Sequence, residues 1–281
     1  MADQTNTDTL FKVPAATAEH ALINKAKYEA DYAESIQDPD KFWARIATRL
    51  DWMKPWSKVK NSSFKKPVSI KWFENAKLNV SVNCIDRHLA KRGDQVAILW
   101  EADSPDTPSR KITYKQLSEE VNKCANVLKK LGVKKGDRVT IYMPMIPESA
   151  FAMLACTRIG AIHSVIFGGF SPDSIRDRVL DCKSDFIITA DEGLRATKKV
   201  TLKANVDKAL EKCPDVKAVL VYKNTGGTIA MKSGRDHWWS DVSKDVSNVC
   251  EPEVMDAEDP LFLLYTSGST GKPKGVLHTT A

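Results

Sequence analysis

From about residue 95 onward, short apolar runs alternate with helical stripes. Residues 96–100 read as a strand, and a Pro/Ser/Asp turn follows. Thr113 then opens a helix with Gln116 at the capping-box position; Leu117, Val121, Leu128 and Leu131 stripe one side, and Gly132 ends it. Residues 139–143 read as the next strand, and Pro147-Glu148 starts a helix that runs through Met153 and Ile159 and closes at Gly160. The strand 162–167 leads into Gly168-Gly169-Phe170-Ser171-Pro172, where Ser171 is an N-cap with proline and Asp173 in the first turn. Strand 186–189, a helix over about 202–213 and strand 218–222 continue the alternation, and the apolar run 261–265 predicts one more core strand. This spacing implies parallel strands with helices over the sheet: an α/β fold whose sites gather beyond the carboxyl ends of the strands.

The chain before residue 95 is less regular. Residues 1–25 read as a flexible extension, with helical patterning from about Ala26. Asp38-Pro39 restarts a helix whose apolar side is Phe42, Ile46 and Leu50. Residues 52–72 are rich in tryptophan, lysine and proline without lasting periodicity; the tryptophans are expected to cover the main body rather than stack on nucleobases. Helical patterning returns over 83–89. Three segments result: the extension 1–25, an N-terminal segment 26–88, and a main domain 89–281.

With 281 residues, the chain can bury a real core, and 42% apolar and 28% charged residues are ordinary for a globular protein. No apolar stretch approaches the roughly 20 residues of a membrane span. The polar start lacks a secretory leader's basic and apolar regions, so the expectation is a cytoplasmic protein away from membranes. Six scattered cysteines without a C-x-x-C pair fit free thiols in a reducing compartment. The net charge of +6 is dispersed among acids, which suits a polyanionic small molecule as well as nucleic acid, and no nucleic-acid motif is present.

The densest chemistry lies at residues 265–275, Tyr-Thr-Ser-Gly-Ser-Thr-Gly-Lys-Pro-Lys-Gly. Glycines let backbone amides turn toward an anion, hydroxyls donate to phosphate oxygens, and Lys272 and Lys274 add positive charge. It is not a Walker A loop, because Lys272 is followed by Pro273. The preceding apolar run and the following Val276-Leu277 argue against a passive linker. Gly168-Gly169 has two readings, close backbone approach to a ligand or a tight strand–helix turn. Arg195, Lys198 and Lys199 fall within little more than one helical turn after strand 186–189, suiting either a phosphate-bearing ligand or a solvated patch. His163, in an apolar strand, is read as structural; His278 could approach a substrate or serve packing. Nothing orders the acidic residues into a metal cage, so any metal is expected to arrive with a nucleotide.

The 265–275 segment resembles the signature of the adenylate-forming acyl-activating superfamily. Residues 68–73, 83–89, 93–98, 142–148, 152–156, 163–171, 189–193 and 234–236 narrow the resemblance to the N-terminal part of the AMP-forming acetyl-coenzyme A synthetases, from about residue 26 to Ala281. The resemblance implies a ligase that joins acetate to ATP, releases diphosphate, and passes the acetyl group from acetyl-adenylate to coenzyme A. It implies the large domain of an adenylate-forming enzyme, mostly parallel sheet layers with flanking helices. Thr266, Ser267, Gly268, Ser269, Thr270, Gly271, Lys272 and Lys274 would hold the ATP phosphates, with Mg²⁺ carrying part of the charge. Coenzyme A would lie near Gly169, Arg195, Ala196, Thr197 and Lys198. The family carries Arg-Ala-Gly-Arg where this chain has Arg195-Ala196-Thr197-Lys198. Lysine keeps the charge without arginine's bidentate fork, Thr197 narrows the backbone freedom of glycine, and Lys199 is a second candidate for that contact. The adenine and acyl pockets and the small C-terminal domain with its adenylation lysine would lie beyond Ala281. No catalytic residue is therefore assigned in this chain, which is expected to be inactive alone and prone to expose apolar faces. The alternatives are a propionyl- or other short-acyl-CoA synthetase, and a non-catalytic nucleotide- or coenzyme A-binding module.

Overall fold

The computed structural model describes residues 11–196, 198–266 and 273–281. It divides into two compact units, one ending at Leu50 and the other running from Asp51 to Ala281.

The first unit is helical. α1 (Ala15–His20) lies within the stretch read as an extension; it buries no residue, which is why no apolar stripe announces it. α2 (Lys25–Gln37) is capped by Asn24, and α3 (Pro39–Ala47) by Asp38, with proline in the first turn as expected. Arg45 clamps the two helices together, 2.8 Å from Asp31 and 2.6 Å from Glu34.

The second unit begins with an antiparallel hairpin that the sequence pattern missed, β1 (Lys58–Ser63) against β2 (Ser69–Glu74). Both strands are mostly exposed, so neither carries the alternation of a half-buried strand. Trp52 and Trp56 close on Phe73 with ring centroids 5.2 Å away. β3 (Lys77–Leu78) follows, then one π-helical turn and α4 (Arg87–Arg92). β4 (Val96–Trp100) does not join the main sheet; it pairs with β5 (Arg110–Thr113) as a separate antiparallel ribbon. α5 (Tyr114–Lys130) carries the full Thr113/Gln116 capping box, and Gly132 turns away with φ +96°.

The main sheet forms from β6 (Arg138–Met143), α6 (Pro147–Arg158), β7 (Ile162–Phe167), α7 (Pro172–Cys182) and β8 (Phe186–Ala190). A small hairpin, β9 (Gly193–Arg195) and β10 (Lys198–Val200), precedes α8 (Leu202–Leu210) and β11 (Ala218–Tyr222). β12 (Asp236–Trp238), α9 (Trp239–Val242), β13 (Met255–Asp256), β14 (Pro260–Thr266) and β15 (Lys274–Thr279) complete the chain. The order is β12-β11-β8-β6-β7-β14-β15, parallel throughout except for β15, which runs antiparallel to β14. Alternate strand residues serve two cores. Ile141, Ile188 and Leu220 meet α5 and α6 residues such as Val121 and Phe151 on one face. Tyr142, Ile187 and Val219 meet α7 and α8 residues such as Ile175 and Val206 on the other.

One expectation is corrected here. The run 261–265 forms β14, but as the second strand from the sheet edge rather than a buried core strand. Leu264 is 44% exposed, and Val276 and Leu277 beside it are 42% and 50% exposed. Apolar composition marked the strand, but β11, equally one strand in from the opposite edge, is buried, so the difference lies in what covers the faces of β14 rather than in its place in the order.

Candidate functional site

α6 covers one face of the sheet and α7 the other, so the connections leaving adjacent β6 and β7 diverge at their carboxyl ends, the place where such sheets hold ligands. Gly168 and Gly169 follow the end of β7 there. A Cβ on Gly168 would stand 3.0 Å from the Met143 carbonyl, so the turn lies directly against the end of β6. The Phe170 amide bonds back to the Phe167 carbonyl, and the Ser171 side chain caps α7. Tyr142, which pattern reading treated only as a strand residue, supports this turn from below: its hydroxyl donates to the Gly168 and Phe170 carbonyls at 3.1 and 2.9 Å, and accepts from Asn205. Burial pushes that phenol's pKa up, keeping it a donor.

The basic segment forms a hairpin, β9 with β10. Arg195 and Lys198 are cross-strand partners, and Ala196 turns the chain with φ +46°. Thr197 lies outside the described residues. Strand alternation separates Lys199 from Lys198, and Lys199 meets Glu192 at 3.1 Å. Glu192 also accepts from the Thr225 hydroxyl, and these two contacts hold its carboxyl below the usual range. Beneath the hairpin, the fully buried Asp191 accepts from the amides of Glu192, Asn224, Thr225 and Gly226 at 2.7–3.2 Å, tying the strand end to the loop after β11.

The glycine turn and the basic hairpin meet. The Arg195 guanidinium lies over the Phe167 ring at 4.9 Å. A Cβ on Gly169 would come within 2.7 Å of that ring and 3.0 Å of Arg195 Nη1. A side chain at 169 would displace Phe167 or Arg195, so close approach rather than backbone conformation favours glycine here.

Thr266 ends β14 and pairs with Lys274, the first residue of β15, so a hairpin brackets the hydroxyl- and glycine-rich segment. Ser267, Gly268, Ser269, Thr270, Gly271 and Lys272 lie outside the described residues. Because β14 runs parallel to β7, Thr266 emerges at the same sheet edge as Gly168. The Tyr265 hydroxyl bonds Asp181 on α7 at 2.6 Å, and burial together with that carboxylate raises its pKa.

Both candidate histidines are engaged in packing. The Phe262 ring stacks on His278 at 4.4 Å and meets His163 at 5.5 Å. Burial lowers the pKa of His163 to about 4, so it is neutral near pH 7. Among the described residues no three or more His, Cys, Asp or Glu gather as a metal site, and no helix is long and apolar enough to cross a membrane.

The AMP-binding enzyme family matches residues 85–281, and the acetyl-coenzyme A synthetase N-terminus matches residues 28–84. The chain belongs to the AMP-binding enzyme family. Among its AMP-binding relatives, acetyl-coenzyme A synthetase of Bdellovibrio bacteriovorus is 65% identical over 271 residues, covering 96% of this chain and 42% of that protein. The synthetase of Parvibaculum lavamentivorans is 62% identical over 274 residues, covering 97% of this chain and 42% of that protein. The chain thus spans about 42% of the length of these relatives. The fold resembles acetoacetyl-CoA synthetase from Streptomyces lividans, with a TM-score of 0.80 and 26% identity over 94% of this chain and 40% of that one.

Proposed function

We propose that this chain is the front part of a cytoplasmic AMP-forming acetate–CoA ligase, with residues 89–281 as its nucleotide- and coenzyme A-facing portion. In the reaction, an acetate oxygen attacks the α-phosphorus of ATP and the bond to the bridging oxygen breaks, releasing diphosphate. The deprotonated thiol of coenzyme A then attacks the acetyl carbon, and AMP leaves with the bonding electron pair. Both substrates crowd negative charge at one place, so donors and cations aimed at the phosphates lower the barrier. Thr266, Lys274 and the 267–272 stretch between them would hold the β- and γ-phosphates. Arg195 and Lys198 would meet the phosphates of coenzyme A, with Gly169, Ala196 and Thr197 leaving room for its chain. Mg²⁺ enters this reading only as the nucleotide's counter-ion.

One observation carries most of the support: the Gly169 turn, the Arg195 hairpin and both ends of the 266–274 segment meet the same edge of one sheet. Titration calorimetry tests it. Coenzyme A should bind the chain saturably, and Arg195→Ala should weaken binding about 10- to 100-fold, the worth of a charge-assisted hydrogen bond. No binding, or unaltered binding by the variant, refutes the assignment. The chain alone is expected to show no acetate-dependent ATP–diphosphate exchange, and robust exchange by the pure chain would overturn that part. Exchange rates with acetate against propionate, on the complete protein, decide the acyl preference.

A further inference from the structure

Arg178, on α7, is placed unlike any other arginine of the chain. It is only 7% exposed, and among the described residues it forms no salt bridge. Its Nη1 donates to the Ser174 carbonyl at 2.9 Å. The guanidinium is otherwise held by two aromatic rings, lying 4.9 Å from the centroid of Phe170 and 5.3 Å from that of Tyr265. Those rings belong to different segments. Phe170 closes the Gly168-Gly169 turn, and Tyr265 is the last residue but one of β14, before the hydroxyl- and glycine-rich segment. A guanidinium removed from water needs compensation, and the electron-rich faces of two rings supply it. Losing either ring leaves the cation underpaid on one side, so it shifts, and the other ring loses its partner.

We propose that Arg178 is a positioning residue that couples the Gly168-Gly169 turn to the strand entering the 266–275 segment, so that the two keep or lose their placement together. Its neighbour Asp181 anchors the same tyrosine through the hydroxyl, so α7 grips β14 by ring face and by hydroxyl at once. The consequence for ligand binding rests on the reading of Gly169 and Arg195 as coenzyme A contacts; the coupling itself does not.

The test is hydrogen–deuterium exchange on the whole chain, read at both segments. Tyr265→Leu removes one ring, together with the hydroxyl's bond to Asp181, and touches neither Gly168 nor Gly169. It should accelerate exchange at amides 168–171 by about twofold to thirtyfold, the range a cation–π contact supplies, while β8 and β11 stay unaltered. In an Arg178→Met background the same substitution should add nothing at 168–171, and Arg178→Lys, which keeps the cation, should restore part of the effect. Phe170→Leu read at 264–266 and 274–276 is the reciprocal measurement, should Tyr265→Leu fail to fold. The proposal is overturned if 168–171 are unaltered, if the whole sheet loosens, or if the Tyr265 effect persists without Arg178, since the coupling would then run through the β7–β14 ladder. Coenzyme A titration adds a separate arm: Tyr265→Leu should weaken binding by a similar factor although Tyr265 lies outside the proposed coenzyme A segment. A wild-type chain that takes up no coenzyme A defeats the ligand assignment, and the exchange result still decides the coupling.

Discussion

Gly169→Ala separates stability from ligand binding. The added Cβ would stand 2.7 Å from Phe167 Cε1 and 3.0 Å from Arg195 Nη1, closer than atoms sit without a shift. Both obstacles are movable side-chain ends, and Phe167 is 46% exposed, so the ring can swing aside without opening the core. Gly169 does not have a positive φ, so alanine brings no backbone strain and lowers the entropy of the unfolded chain, a gain of about 0.4–1 kcal/mol. Displacing Arg195 from the Phe167 face loses about 0.5–1 kcal/mol of cation–π attraction. The two nearly cancel, and folding stability should change by less than about 1 kcal/mol. If Arg195 meets coenzyme A as proposed, coenzyme A binding should fall by about tenfold or more, because a displaced guanidinium forfeits a charge-assisted bond of about 1.5–3 kcal/mol. Thermal melting and calorimetric titration on the same preparation check both halves. Unaltered coenzyme A affinity would refute the reasoning, as would destabilisation well beyond 1 kcal/mol.

Three further outcomes follow from the geometry. Burial holds the pKa of His163 near 4 against an ordinary 6.5, so the unfolded chain takes up a proton first as pH falls; stability from this residue is complete above pH 6.5 and lost toward pH 4, by about 3 kcal/mol. His163→Phe should flatten that part of the melting temperature–pH curve, and an unaltered slope would count against it. Asp191→Asn turns one acceptor oxygen into a donor facing backbone amides, and should cost about 1–3 kcal/mol by denaturant melting. Thr113→Ala removes half of the capping box of α5 and should cost about 1 kcal/mol in the same assay.

What the sequence determined by itself was whatever depends on neighbours a few residues apart. The Thr113/Gln116 box, the Ser171 cap with Pro172, and the glycines that end α5 and α6 are local devices, and each appears as its residues predict. Apolar runs located β6, β7, β8, β11 and β14, and strand–helix alternation implied parallel pairing with sites at one edge. The tertiary structure decided what depends on partners far along the chain. Whether an apolar run is covered on both faces depends on what packs over it, so 261–265 looked like core and is half-exposed, while β11, equally one strand in from an edge, is buried. Arg195, Lys198 and Lys199 have a spacing that a helix or a hairpin accommodates equally; the tether of Asp191 to residues 224–226 and the left-handed Ala196 accompany the hairpin. The contact of Gly169 with Arg195, and the Arg178 guanidinium between Phe170 and Tyr265, join segments 26 and 95 residues apart, taken from their numbering. A one-dimensional pattern records which side chains can be buried, whereas only the folded chain determines what each one is buried against.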